Sequence, residues 1–545
     1  MKISLFFVIF FNVADAKTVF KVPNETPYLT ISNKQQMEVS AFGPSDFVVL
    51  ENLIAILDSD GNRISFFDKS GKYTRQIKLP NGFYQRLIKD RNNTLYAFAN
   101  NGLYTSIVKI NEQGIEQKEI EGSLDNIIAH ALVDDYGLFF EKINLINPHL
   151  IDQIHKAKKI SPTLLNEIKK ESNLQGQLIK RDCFSCNPVN TREPKINGLT
   201  YQIKYQNDKG EKPSLFIGDK KIELNHKYRN AGTRIEQIDQ DGAAWIEQSI
   251  FMNQQTVDTY IIKILPSGEI ESIYRLPKIH PDDYVLHQIS ISDKGELWFM
   301  QGQPSGLLFN IIKPLSKEAT IDFINLKNNL LIKNSPAIKD DFKKNNVISS
   351  FHESESCQSR TMMFIRGIRY LYFYHCYPLE AIENDISCPG RMVPFFLDGG
   401  QTQCLFSVSY NWGGFDSVET YSEKIERMKA GNVNTGSFPL LNCTTGVDCS
   451  GFISNLWGLK TKWGTSQIFA NTPSVDISQM KVGDVFVKPN SHVIMYTGNL
   501  NDNISTMESV VRPGKVISSE HPIKWFIQHG YTPKLAYNAC EDDYS

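Results

Sequence analysis

The residues with the most evident chemistry lie toward the C-terminus of this 545-residue chain. Cys449 stands in the run Val447-Asp448-Cys449-Ser450-Gly451-Phe452-Ile453-Ser454-Asn455-Leu456-Trp457. Phe452, Ile453, Leu456 and Trp457 share one helical stripe, so the spacing predicts an amphipathic helix with Cys449 in its first turn. A thiol at that place feels the positive end of the helix and its unpaired N–H groups, which favour thiolate. The same N–H groups can donate to an oxyanion. A cysteine nucleophile also needs a base. His492 opens the strand-like run His492-Val493-Ile494-Met495-Tyr496, and a strand holds side chains rigidly. An imidazole is in turn oriented by a third group. The next strand-like run, Ile504 to Val510, offers Glu508, sixteen residues after the histidine. A helix-start cysteine facing a strand histidine is the arrangement of papain-like catalysis.

Cysteine arithmetic supports the assignment. There are nine: Cys183, Cys186, Cys357, Cys376, Cys388, Cys404, Cys443, Cys449 and Cys540. In an oxidising compartment an odd count leaves one thiol over or pairs chains, and Cys449 is the one placed for reactivity. Cys183-x-x-Cys186 lacks the second pair that a zinc knuckle needs, so neither a metal nor an organic cofactor is expected.

The elements upstream alternate short strand-like runs with turn signals. Phe47-Val48-Val49-Leu50, Leu53 to Leu57 and Ile64-Ser65-Phe66-Phe67 are separated by Asp/Asn/Gly clusters and read as antiparallel hairpins. A phrase recurs at Asp90 to Tyr96, Asp239 to Trp245 and Asp293 to Trp298. Counting Phe47 as a weaker member, the closing aromatics are 49, 149 and 53 residues apart. A period near 50, with 149 equal to three of them, is the signature of propeller blades, which protect one another's edges by stacking radially. A β-sandwich with long loops is the other architecture such runs allow. The phrase from Ser40 to Pro80 resembles an NHL-type blade. Residues 147–177 read as a charged helical insertion and 336–355 as a linker. Met362 to Tyr372 carries apolar residues at helical spacing, a buried helix.

Composition bounds the rest. Lys plus Arg is 58 and Asp plus Glu is 60, a net charge of −2, which gives no electrostatic reason to propose nucleic acid or anionic lipid as partner. Lys2, a short apolar run and Ala14-Asp15-Ala16 have the pattern of a secretory signal peptide spanning residues 1–16. About eleven apolar residues are too few for a transmembrane span, which needs ~20. No cysteine follows for lipidation, so a secreted or periplasmic protein is expected.

With these residues in view, Tyr410 to Ala536 resembles the NlpC-type cell-wall endopeptidases. Tyr410-Asn411-Trp412-Gly413-Gly414 matches the family's Y-x-W-G-G box and Asp448-Cys449-Ser450-Gly451-Phe452 its D-C-S-G nucleophile box. Gly483-Asp484 matches the G-D turn, and His492-Val493 with Tyr496-x-Gly498 the H-V-x-x-Y-x-G strand. The resemblance implies an α+β papain-like domain over 356–545 behind an all-β propeller-like domain over 17–335, in a multidomain chain. It implies Cys449 as nucleophile, His492 as base and a polar residue on the following strand, here Glu508. Tyr410, Ser450 and Asp448 would flank substrate or oxyanion. It implies hydrolysis of amide bonds in peptidoglycan stem peptides or muropeptides, with a protein or glycan ligand on the propeller. This chain departs from the family in an insertion, 415–447, that carries Cys443 and a helical piece from Glu419 to Ala430. Two other readings remain open: a propeller binding protein with a non-catalytic C-terminal scaffold, and an acyltransferase or amidase on another substrate.

If parity and export are read correctly, iodoacetamide alkylates Cys449 in the folded, unreduced protein and leaves the other eight cysteines in disulfides. Peptide mapping that finds Cys449 bridged would remove it as nucleophile.

Overall fold

In a computed structural model the described residues are most of 16–320 and 357–540. Outside them lie 1–15, 24–25, 32–42, 81, 83, 101–103, 112–113, 122–125, 135–136, 145–178, 184–194, 206–212, 225–229, 254–255, 280–282, 284, 286, 304–305, 318, 321–356, 384–386, 398–402, 436–439, 501–502 and 541–545. The expected leader up to residue 15, the helical insertion and the linker fall on these stretches, while Ala16 opens a strand.

Strand runs that are apolar at every position need a partner on both faces, and the N-terminal part supplies it by repetition. Among the described residues six antiparallel sheets follow in chain order. The first runs from Asp46–Val49 to Tyr73–Lys78, the second from Tyr84–Lys89 to Gly114–Glu121. The third has Asn126–Asp134, Gly137–Asn144 and Ile179–Cys183; the fourth spans Lys195–Ile196 to Lys220–Glu223 and the fifth Asn230–Ile238 to Ile270–Arg275. The sixth joins Ile289–Ile291, Leu297–Gln303 and Gly306–Ile312 to the N-terminal strand Ala16–Pro23, paired from Ala16↔Ile312 to Pro23↔Gly306.

Neighbouring sheets share apolar layers. Phe47, Val49, Ile54 and Ile56 of the first sheet pack on Trp298, Met300 and Phe309 of the sixth. The alternate residues Val48, Ala55 and Leu57 pack on Leu87, Leu95 and Ala97 of the second. Trp245 and Ile261 join the fifth sheet to Leu297 and Phe299 of the sixth, and Leu215 and Ile217 join the fourth to Ile246 and Ile262 of the fifth. Period-two alternation thus sends one set of side chains to each neighbour, the radial stacking of a propeller. The second and fifth sheets are three steps apart, which accounts for the 149-residue gap between Tyr96 and Trp245.

The recurring phrase is the turn between a blade's first two strands. Asp90 accepts from the N–H groups of Asn92 and Thr94 and from Tyr96 Oη; Asp239 accepts from Asp241 and Ala243 N–H and from Trp245 Nε1. In the sixth sheet the equivalent residue is Ser292, not Asp293: its Oγ accepts from Glu296 N–H, six residues before Trp298.

The C-terminal part is built on a five-stranded antiparallel sheet. Its order is Lys515–Pro522, Asn503–Val510, His492–Leu500, Val485–Lys488, Thr532–Lys534. One face carries the helices Arg360–Leu371 and Cys449–Leu456, with Val485, Val487, Val493, Met495 and Met507 in their common core. From the other face Phe486, Ile494, Tyr496 and Ile504 meet Phe526 and Tyr531, and beyond them Ala231, Phe251 and Val257 of the propeller. Lys524 pairs with Glu247 and Arg512 with Asp60 at 2.8 Å across the same junction. Disulfides Cys357–Cys540 and Cys388–Cys443 close loops of 183 and 55 residues.

The helix expected from Glu419 to Ala430 is shorter, Val418–Lys424, capped by Ser417 Oγ. Lys429–Ala430 instead pairs in parallel with Thr444–Thr445, which draws the inserted segment back toward the helix that begins at Cys449. Among the described residues no helix is long and apolar enough to cross a membrane.

The G-D turn shows how tightly the C-terminal part is tied. Gly483 takes φ +92°, and the buried Asp484 carboxylate accepts from Arg360 at 2.8 Å, Ala536 N–H and Lys481 N–H. Both members of the ion pair are out of solvent, so Asp484→Ala leaves an uncompensated guanidinium and costs about 3–5 kcal/mol. Urea titration followed by near-UV circular dichroism checks this; a loss under 1 kcal/mol would show that Arg360 finds another anion.

Candidate active site

The site begins with the cap. Asp448 is fully buried and stands in extended conformation ahead of the helix Cys449–Leu456. Its Oδ1 accepts from Gly451 N–H at 2.7 Å and from Ser450 Oγ at 3.1 Å. Its Oδ2 accepts from Gly413 N–H at 2.9 Å and from the Lys462 ammonium. The Y-x-W-G-G and D-C-S-G segments are therefore one structure. Their approach requires glycine, because a Cβ on Gly451 would sit 2.0 Å from the Gly414 carbonyl oxygen. Asp448 and the buried Ser450 hydroxyl, expected beside substrate, are engaged in holding the helix start.

Cys449 occupies the first helical position, buried and free of any disulfide. Tyr410, also buried, is bridged to Val447 and donates its N–H to Gly514. The Val447 carbonyl accepts from Ser509 Oγ at 2.7 Å. That contact sets the beginning of the helix against the Glu508 end of the sheet.

His492 is the first residue of its strand, as its sequence position implied. Backbone pairing with the next strand ends at Met495↔Met507, so His492 and Glu508 stand where the two strands splay and meet through their side chains. His492 Nε2 lies 2.7 Å from Glu508 Oε2. Since an ionised carboxylate only accepts, Nε2 carries the proton and Nδ1 is the nitrogen left for proton transfer. Burial alone would push the Glu508 carboxyl up. Hydrogen bonds from His492 and His521, with their charges, outweigh it and hold the pKa at about 2.

His521 is a participant that the sequence reading missed. Its Nε2 is 3.9 Å from Glu508 Oε1, and its ring stacks on Trp525 at 4.0 Å. The signal was its place on the strand next to that of Glu508, where the register Ile504↔His521 puts both on one face. Asn503, on the same strand as Glu508, pairs with Leu500 at the far hairpin end. Among the described residues no cluster of histidine, cysteine, aspartate or glutamate could hold a metal ion.

No protein-family model matches the chain, and no curated protein matches it. Solved structures similar to it include a streptogramin B lyase, 12% identical over 52% of this chain and 98% of that one, TM-score 0.28. A gluconolactonase of Xanthomonas campestris is 12% identical over 55% and 96%, TM-score 0.28. The calcium-binding protein regucalcin of Agrobacterium tumefaciens is 11% identical over 55% and 96%, TM-score 0.29. The propeller-like architecture rests on strand order and shared layers, not on these likenesses.

The buried pair has a pH signature. The folded pKa of Glu508, about 2, lies below the usual glutamate value of 4.5. Its contribution to stability is therefore complete above pH 4.5 and is lost as pH falls toward 2. Denaturant titrations of wild type and Glu508→Gln should differ most above pH 4.5 and converge near pH 2. A gap unchanged across that range would mean that the carboxylate is not held ionised by the histidines.

Proposed function

We propose that this chain is an exported cysteine hydrolase acting on amide bonds of peptidoglycan stem peptides, with Cys449 as nucleophile, His492 as base and Glu508 as the orienting carboxylate. The observation that carries the reading is the buried His492–Glu508 hydrogen bond of 2.7 Å, taken with the disulfide-free Cys449 at the first position of its helix.

In the proposed cycle His492 Nδ1 takes the Cys449 proton. The sulfur attacks the amide carbonyl carbon, and the oxyanion is met by N–H groups of the helix start, with Tyr410 beside them. His492 returns the proton to the leaving nitrogen and the C–N bond breaks, leaving a thioester. Water, deprotonated by His492, then releases the acid and the thiol. Glu508 holds the imidazole in one tautomer and stabilises its cation. The propeller, joined to the sheet by a shared core, would hold a protein or glycan partner.

Mass spectrometry of purified sacculi and soluble muropeptides before and after incubation tests the substrate. Cys449→Ala and His492→Ala should each abolish product, with the double variant hardly worse. Glu508→Gln should lower kcat by roughly 10–1000-fold with KM little changed. Product formed equally by Cys449→Ala, or no product from any muropeptide, would overturn the assignment.

A further inference from the structure

A second site lies between the propeller and the far edge of the C-terminal sheet, and Cys449 is not among the residues that line it. A cavity of about 230 Å³ runs along every residue of the edge strand Lys515–Pro522 and is closed on the propeller side by Arg86, Arg234, Glu247 and His287. It is smaller than the ~300–1,000 Å³ of drug-sized pockets, which limits the ligand to a short molecule.

Three features give its chemistry. First, the edge backbone is open. Val516 N–H donates to Val408, and the Val516 carbonyl accepts from Ser407 Oγ, so residues of that parity face away from the sheet. By alternation the N–H and C=O groups of Ser518 and Glu520 also face outward. Among the described residues they have no backbone partner.

Second, three buried side-chain atoms lining the cavity have no hydrogen-bond partner among the described residues: Glu520 Oε2, Trp525 Nε1 and Gln528 Oε1. Burying such groups unpaired costs about 1–3 kcal/mol each, a cost that a polar ligand removes.

Third, the charges are uneven. Arg234 is paired with Glu236 and Glu247, Lys524 with Glu247, and Arg86 with Asp46. Lys515 has no carboxylate within ion-pair distance among the described residues and lies only against the Phe396 ring, 5.4 Å from its centroid. Burial lowers the Lys515 ammonium to about 8, and burial raises the Glu520 carboxyl to about 8, so at neutral pH the strand offers a cation at one end and an uncharged donor at the other.

We propose that this cavity binds a short, extended peptide with a free C-terminal carboxylate, added as an antiparallel strand to Ser518–Glu520 with its carboxylate on Lys515. Lys515 and Ser518 are three residues apart, about 10 Å along a strand, which a side chain of lysine's length and a peptide of two or three residues span together. Main-chain pairing supplies affinity in such strand addition, and the terminal charge supplies orientation. Trp525 and Gln528 are placed to meet the peptide's own polar groups. His521, which also lines the cavity, connects it to Glu508. The proposal does not rest on the hydrolase reading.

The test uses the full chain carrying Cys449→Ala, so that nothing is turned over, with N-acetyl-trialanine as probe in isothermal titration calorimetry. Saturable binding is expected. It should weaken at least tenfold when the carboxylate is amidated and at least tenfold in Lys515→Met. N-methylation should abolish binding at one backbone amide and be tolerated at the next, the period-two signature of strand pairing. Trp525→Phe, which keeps the stack and loses the N–H, should weaken binding in a chain whose circular dichroism is unchanged. Absence of saturable binding up to about 10 mM, equal affinity for acid and amide, or equal tolerance of every N-methyl position would overturn the proposal.

Discussion

The carboxylate of Asp448 decides where the C-terminal part places its chemistry. Buried out of water, it cannot remain charged without partners. The partners it finds are Gly451 N–H and Ser450 Oγ on the helix, Gly413 N–H on a distant loop, and Lys462 after the helix. One oxygen therefore starts the helix, and the other draws the Gly413–Gly414 loop against it. Cys449 is the residue that follows, so its position is a by-product of satisfying a buried charge. Loss of that carboxylate would free four groups at once. Cys449 would remain in the sequence with nothing to say where it stands.

The second dependence is the shared core between propeller and sheet. Phe486, Ile494, Tyr496 and Ile504 would be an exposed apolar face if the C-terminal part stood alone. Phe251 and Val257 cover it, and the Lys524–Glu247 pair fixes the rotation of one part on the other. The edge strand and helix beside that junction are therefore held at a constant distance from the propeller's inner strands. This is why the cavity along Lys515–Pro522 has two walls of different origin.

Much of this was legible in the residues. The blade period followed from Asp and an aromatic six positions later, because a turn that closes on an Asp side chain needs both a short polar acceptor and a ring to seal it. The third copy was read one residue late, since Ser292 does with a hydroxyl what Asp90 does with a carboxylate. The helix starting at Cys449 and the strand starting at His492 agree to the residue. The helix predicted to Ala430 ends at Lys424 because Lys429–Ala430 finds a strand partner far along the chain, which local propensity cannot register. The junction was missed although its sign was present. Val485-Phe486-Val487 and Val493-Ile494-Met495-Tyr496 are apolar at every position, and such a strand is covered on both faces. His521 was missed because a third strand was not followed through the ladder.

The pairing of Ala16–Pro23 with Gly306–Ile312, shifted once at Val19, has a consequence for synthesis. A chain made from its N-terminus releases this strand first and its partner nearly three hundred residues later. Until then the ring is an open arc, with the first and sixth blades each lacking a neighbour and Phe47, Ile54 and Trp298 facing water. Contacts of that sequence separation form last, because loop closure must precede them. Closure of the N-terminal part therefore waits for Ile312, however early its first blades form.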